Sequence, residues 1–448
     1  MKIVIAGAGA VGTHLALLLS KEKQDIILMD EDDVKLDKIG SNFDLMPWHD
    51  SPSSIQAQKN AGVATADLFI AVTPDEARNM TCCMIASNLG CKKTVARIDN
   101  FEYMTDKNRE FFRQMGIDSL IYPEMLAAKE IVDAVRMSWI RQWWEVGSGD
   151  LVMIGVKMRN TAKILNTPLK ELGAQKLPYH VVAIKRGDET IIPNGFDSIL
   201  PLDLVYFMSN RKHIPFIRQE CGKEEYPDVK NVMIIGGSRI AVRTAKTVPD
   251  YMRVTIIEQD EARCNRLTEL LIDHPNVMVV HGDGRDMNLL EEEHIRTKEA
   301  FVALTDNAET NILACLAAKG MGVSKTVALV ENIDYIKMAE SMDIGTIINK
   351  KTIAAGCIYQ RLLDADVDNM KSLDMAKADV AEFTVNHNAK ITKKLVKDLG
   401  LPKGVTIGGL VRKGTGMLVN GMTQIEEGDH VVVFCLSGMI KKIEKYFG

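Results

Sequence analysis

Gly7, Gly9 and Gly12 stand in the spacing Gly-x-Gly-x-x-Gly, and Asp30 follows 18 positions after the last of them. That set suits one task. Gly7 permits a tight turn, Gly9 lets a pyrophosphate approach the backbone, and Gly12 lets a helix close onto a strand. Free amides at the helix start then face the phosphates. A carboxylate at the distance of Asp30 accepts hydrogen bonds from ribose hydroxyls and repels a 2′-phosphate, which points to NAD over NADP. Two further candidates lie downstream. Thr73 ends an apolar run where open α/β sheets bind ligands, or the segment Thr73-Pro74-Asp75-Glu76 only caps the next helix. Arg97, near the end of another apolar strand, needs an anion: a ligand phosphate, or else Asp50 or Asp99.

These side chains need a frame. Lys2–Ala6 is β-rich and alternating, and Val11–Ser20 places Val11, Leu15, Leu18 and Leu19 at helical spacing. Asp25–Met29 reads as a second strand ending on Asp30, and Leu68–Val72 as a buried parallel strand. The glycines therefore fall between strand and helix inside a βαβ unit, the context that gives the motif its meaning.

The frame is written twice. Thr94–Asn100 returns as Thr326–Asn332, and Thr73 as Thr305, each 232 positions on. Gly7 answers to Gly236, Asp30 to Glu258, and Met125–Ala128 to Thr352–Ala355. Arg186, Asn194-Gly195 and Asp203 return as Arg412, Asn420-Gly421 and Asp429, 226 positions on. A period of half the chain implies duplication of a large unit, a connecting helix and a small unit. Gly222–Lys230, rich in Lys and Glu with one Pro, reads as the joint. The second copy departs from the first at Ser238, Ala241 and Leu329, which stand for Gly9, Gly12 and Arg97, while Glu258, Gly282-Asp283 and Thr305 remain. Ser238 brings a Cβ toward the pyrophosphate space and Arg239 offers a replacement cation. Retention and loss of nucleotide binding there are both open.

Composition sets the outer bounds. The 448 residues suit roughly two to four domains. A chain 46% hydrophobic and 26% charged is neither collagen-like, mucin-like nor disordered. With 55 Lys+Arg against 60 Asp+Glu the net charge is −5, so nucleic acid is not an expected partner, although the balance leaves room for a local basic patch. No apolar run approaches the ~18 residues of a membrane span, and the N-terminus lacks the apolar stretch of a secretory signal. The 8 cysteines include no Cys-x-x-Cys and read as small buried hydrophobes of a soluble cytosolic protein.

The alternative is a Rossmann-fold NAD-dependent oxidoreductase. Hydride transfer requires a general acid or base facing a substrate pocket. Neither half offers a suggestive His–carboxylate pair, and the 9 histidines are scattered, so no enzymatic activity, catalytic residue or metal is expected. Glu291-Glu292-Glu293-His294 reads as a solvated helix face. Trp139, Trp143 and Trp144 read equally as core or as a subunit contact, and Met137 and Met153–Met158 as core.

Taken in order and repeated, Ile3–Gly12, Asp30, Ala71–Asn79, Thr94–Asn100 and Arg186…Ile192-Pro193-Asn194-Gly195…Asp203 resemble the TrkA family over essentially the whole chain. These are the peripheral NAD-binding subunits of bacterial Trk-type potassium uptake systems and, more broadly, proteins with tandem RCK domains. The resemblance implies two Rossmann-like doubly wound parallel-sheet domains, 1–121 and 230–348, each followed by a small α+β (βαβ-type) domain, 140–224 and 368–448. It implies NAD(H), with ATP or ADP as further ligands. It implies a homo-oligomeric ring, a tetramer, on the cytoplasmic face of the inner membrane, gating a potassium-translocating TrkH/TrkG-like subunit. Carried over by motif, the first site comprises Gly7, Ala8, Gly9, Ala10, Val11, Gly12, Asp30, Asp50, Thr73, Pro74 and Arg97. The second comprises Gly236, Gly237, Ser238, Arg239, Ile240, Glu258, Asp283 and Thr305. His49 stands where the family usually has glycine, which implies a differently shaped adenine-side loop. The resemblance leaves open a further small ligand, such as a cyclic dinucleotide, on the small domains.

Overall fold

The computed structural model describes residues 1–20, 24–40, 45–146, 149–360, 367–373, 378–436 and 438–448. They fall into two compact units, Met1–Ala127 with Lys350–Leu363, and Ala128–Asn349 with Asp364–Gly448.

In the first unit β1 (Lys2–Ala6), α1 (Ala10–Ser20), β2 (Asp25–Asp30), α2 (Asp33–Gly40), β3 (Met46–His49), α3 (Ile55–Asn60), β4 (Leu68–Ala71), α4 (Glu76–Leu89), β5 (Thr94–Arg97), α5 (Asp106–Gln114) and β6 (Ser119–Ile121) alternate. The sheet order is β3-β2-β1-β4-β5-β6, parallel throughout. Helices cover both faces, so the central strands are apolar without alternation: Ile3, Val4 and Ile5 are all buried. The chain order reverses between β1 and β4, and a crevice opens there at the strands' C-terminal ends. Helix α6 (Pro123–Val135) leads out of this sheet.

The second unit holds the other three sheets. The first small domain contains β7 (Gln142–Val146), β8 (Leu151–Lys157), α7 (Leu169–Ala174), β9 (Tyr179–Arg186), β10 (Glu189–Ile191), β11 (Leu204–Asn210) and α8 (Ile214–Glu220). Its sheet, β10-β9-β11-β8-β7, is antiparallel between neighbours. Because β8 and β9 both run antiparallel to the β11 between them, β8-α7-β9 is a βαβ unit split by one strand. Next come β12 (Asn231–Ile235), α9 (Arg239–Thr247), β13 (Arg253–Glu258), α10 (Glu261–Leu270), β14 (Val277–His281), α11 (Met287–Glu292), β15 (Ala300–Ala303), α12 (Ala308–Gly320), β16 (Lys325–Leu329), α13 (Ile333–Ser341) and β17 (Thr346–Ile348). They repeat the first parallel sheet as β14-β13-β12-β15-β16-β17. After α14 (Lys350–Gln360), the second small domain has β18 (Val367–Leu373), β19 (Ala378–Thr384), β20 (Val405–Arg412), β21 (Thr415–Leu418), β22 (His430–Leu436) and α15 (Ile440–Glu444). Its strand order repeats that of the first.

Three expectations are settled by packing. Trp139 and Trp143 enter the core of the first small domain with Ile154 and Phe207. Trp144, on the other face of β7, packs with Val380 and Phe434 of the second small domain, so all three are core. The joint is no loose linker: Lys223 and Val229 are buried and Asp228 bridges to Met137. Helix α14, encoded in the second half, belongs to the first unit, where it packs on α1; Ala354, Ala355 and Ile358 are buried, as are Leu15, Ala16 and Leu19.

The Arg/Asp pattern of the small domains is a brace. Arg186 holds the buried Asp203 through Nε and Nη2 at 3.0 and 2.8 Å, and Arg412 holds Asp429 at 2.8 and 2.7 Å. Each aspartate also accepts a backbone amide, from Leu200 or Glu426. No described helix is long and apolar enough to cross a membrane.

Candidate functional site

In the first crevice each glycine has its own constraint. Gly7 has φ +110° and donates its amide to the Met29 carbonyl, closing the turn. A Cβ on Gly12 would lie 1.9 Å from the Gly7 carbonyl oxygen, so only glycine lets α1 approach β1. A Cβ on Gly9 would meet no heavy atom within 4 Å, so Gly9 borders open space. Ala10 and Val11 lie in the first turn of α1, whose first intrahelical amide bond runs from Thr13 to Gly9, so the amides ahead of it are free to meet an anion. Asp30 closes the other side. One carboxylate oxygen accepts the Ala8 amide at 2.6 Å, the other the Asp32 amide at 3.0 Å, which pins the glycine turn to the end of β2.

Thr73 and Arg97 are tied to a residue that sequence reasoning passed over. Asn79 accepts the Thr73 amide and hydroxyl at 2.9 and 2.7 Å, and donates to the carbonyls of Thr73 and Arg97 at 2.9 and 3.0 Å. The N-cap of α4 is Asp75, which accepts the amides of Ala77 and Arg78; Thr73 braces the strand end, with exposed Pro74 between them. Arg97 pairs with Asp99 at 2.9 Å and donates to the Thr73 carbonyl at 3.2 Å, so Asp99, not Asp50, is its protein partner. Arg78, also passed over, pairs with Glu31 and donates to Ser51 at 3.2 Å, joining the ends of β2 and β3 at the crevice rim.

The second crevice reproduces this wiring with different residues. Glu258 accepts the Gly237 amide at 2.6 Å and the Asp260 amide at 2.9 Å. Thr305 and Asn311 repeat the Thr73–Asn79 bonds, with Asn311 reaching the Leu329 carbonyl at 2.9 Å. Ser238 is the N-cap of α9, its hydroxyl accepting the Ala241 amide at 3.4 Å. Arg239 is exposed and Ile240 is buried. The crevice is open to solvent and has a volume of about 380 Å³, lined by Gly236, Gly237, Ser238, Glu258, Asp283 and Thr305, among others. It also gains Arg263 and Arg285, which the sequence did not single out. Arg285 hydrogen-bonds Asp283 at 2.7 Å and holds its carboxyl below the usual range.

Strand register corrects one correspondence. Asp30 pairs with His49 and Glu258 with His281, and each histidine Nε2 meets the carbonyl of Glu31 or Gln259. His49 is therefore shared by both copies, and Asp50 occupies the place of Gly282, its amide bonding Asp30 as that of Gly282 bonds Glu258. The counterpart of Asp283 is Ser51. Asp50 itself is exposed and accepts the Ser51 amide.

The description TrkA-N domain matches residues 3–123 and 232–350, and TrkA-C domain matches 380–448. The Trk system potassium uptake protein TrkA of Haemophilus influenzae is 32% identical over 456 aligned positions, covering 100% of this chain and 98% of its own. The chain belongs to the TrkA family. The GsuK RCK domain shares the fold at TM-score 0.61 and 15% identity, covering 100% of this chain and 94% of its own. The GsuK channel bound to NAD gives TM-score 0.61 at 15% identity, covering 100% and 78%. For a TrkA-family chain, the first crevice fits a dinucleotide: open space at Gly9, first-turn amides of α1, and a carboxylate at the end of β2.

Proposed function

We propose that this chain is the regulatory nucleotide-binding subunit of a potassium uptake system. Homo-oligomeric rings, tetramers by this reading, sit on the cytoplasmic face of the inner membrane and gate a membrane potassium-translocating subunit. Each half pairs a nucleotide domain (1–121 or 230–348) with a small domain (140–224 or 368–448). The observation that carries the reading is full-length relatedness to a protein named for potassium uptake, combined with a crevice in which the backbone requires Gly7 and Gly12 and Gly9 borders open space. NAD(H) binds the first crevice, its pyrophosphate at Gly9 to Val11 and a ribose near Asp30, with ATP or ADP as alternatives. The second crevice binds a nucleotide as well, supported by its retained Glu258 wiring and its two added arginines. A ligand shifts a two-state ring only by its differential affinity for the two states, typically about 1–3 kcal/mol of coupling. The chain has no turnover of its own.

Potassium flux into liposomes carrying the cognate membrane subunit should depend on this protein and on nucleotide. Flux indifferent to both, or steady NADH oxidation by the protein alone, would defeat the reading. Calorimetry should give two nucleotides per chain, and Asp30→Ala should weaken NADH by about 1–3 kcal/mol at one of them.

A further inference from the structure

The first small domain meets the second parallel sheet at the N-terminal ends of β16 and β17, the opposite end from the nucleotide crevice. Here the Arg141 carbonyl accepts from Thr346, and Lys325 donates to the Ile140 carbonyl. Around this seam cations exceed acids. Arg141 and Lys319 reach the Asp343 carboxylate at 2.8 and 3.2 Å, and Arg159 also pairs with it. Lys185 is matched by Glu340 at 2.6 Å. Lys157 and Lys223 add charge close to Arg141 and Arg159, and neither takes part in an ion pair among the described residues.

Lys223 is the telling member. It is only 3% exposed, its ammonium 3.5 Å from the Tyr226 hydroxyl and 4.7 Å from that ring's centre. Burial, reinforced by Arg159 and Arg141, pulls its pKa down to about 8, and burial likewise lowers Lys157. Burial pushes the Asp343 carboxyl up, but Arg141, Arg159 and Lys319 outweigh it and hold it below its ordinary value. Asp343 has φ +52°, where the first copy has Gly116 at φ +87°. A carboxylate is thus kept at a left-handed position that favours glycine. One carboxylate shared by Arg141, Arg159 and Lys319, with Lys157 and Lys223 beside them, leaves an excess of positive charge in a partly exposed seam, and the share that is buried, on Lys223, is costly without a counter-anion.

We propose that this seam binds a phosphoryl anion, held by Arg159, Lys157 and Lys223 beside Asp343. Arginine forks and lysine point charges are the side chains that suit such a group. The source is either free inorganic phosphate and pyrophosphate or the phosphate tail of a nucleotide, which share this chemistry. The site goes beyond the nucleotide function above, and it can fail while that function stands.

The test uses the full chain with NAD saturating the crevices and pyrophosphate titrated by calorimetry. Pyrophosphate should bind and raise Tm, and Arg159→Gln and Lys223→Met should each weaken it about tenfold or more. Lys157→Gln, at a partly exposed position that endangers folding least, should also weaken it. Asp343→Asn should tighten it by removing the competing carboxylate. In phosphate-free buffer Lys223→Met should raise Tm, since it deletes a buried uncompensated cation, whereas a purely structural lysine would lower it. ATP competing with pyrophosphate under NAD saturation identifies a nucleotide tail, and pyrophosphate binding without competition identifies the inorganic ion. Absence of pyrophosphate binding to the wild-type chain, or binding unchanged by both Lys157→Gln and Lys223→Met, overturns the proposal.

Discussion

The two crevices hold the same bond with different residues. In the first, Asp30 reaches the amide of Ala8; in the second, Glu258 reaches that of Gly237, both at 2.6 Å. The second acid is longer by a methylene and its neighbour shorter by a methyl. A Cβ on Gly237 would lie 2.9 Å from the Glu258 carboxylate and 2.4 Å from Leu267 Cδ1, so the two changes belong together. Counting glycines therefore undervalues the second crevice: the motif loses two, yet the turn, its anchoring acid and the Thr–Asn brace all persist. What differs is where cations stand, on Arg97 and Arg78 in one crevice and on Arg263 and Arg285 in the other.

The sharpest break between the copies should come at the helix contact. Gly12→Ala forces a Cβ onto the Gly7 carbonyl and should cost about 3 kcal/mol in urea unfolding, with loss of dinucleotide binding. Its counterpart Ala241 already carries a Cβ, and Ala241→Gly should cost only about 1 kcal/mol of helix propensity. Equal losses would mean that the two helices approach their strands alike. The shared brace predicts the opposite. Asn79→Ala and Asn311→Ala each strand buried backbone groups and should cost about 2 kcal/mol, equally in the two copies. Gly237→Ala should cost about 1–2 kcal/mol by crowding, and adding Glu258→Asp should recover part of it by recreating the Ala8–Asp30 pair. A double variant no more stable than additivity predicts would uncouple those positions. The smallest effect is that of Arg97→Leu, which imitates Leu329. Loss of the pair with Asp99 should cost about 1 kcal/mol or less, and titrations should show the more highly charged nucleotides weakened most.

The crevice was legible because each signal is local. Gly7 and Gly12 report backbone constraints within one turn, Gly9 marks the open space beside them, and Asp30 ends the adjacent strand. The Arg186–Asp203 pattern was visible but not its purpose, since only contacts distinguish a brace from a ligand site. Asn79 was overlooked although Thr73…Asn79 and Thr305…Asn311 repeat the same spacing, a clue that the brace is shared. Its bonds go to backbone groups, which leave no mark in side-chain types. That His49 answers to His281, and Asp50 to Gly282, is invisible until strands pair. The repeated Ala127-Ala128 and Ala354-Ala355 marked α14 as a connecting helix but not its packing partner α1, which lies at the other end of the chain.

Helix α14 makes the duplication irreversible in a practical sense. A gene cut between the halves would yield an N-terminal fragment whose α1 presents Leu15, Ala16 and Leu19 with no covering helix, and a C-terminal fragment carrying α14 without its seat.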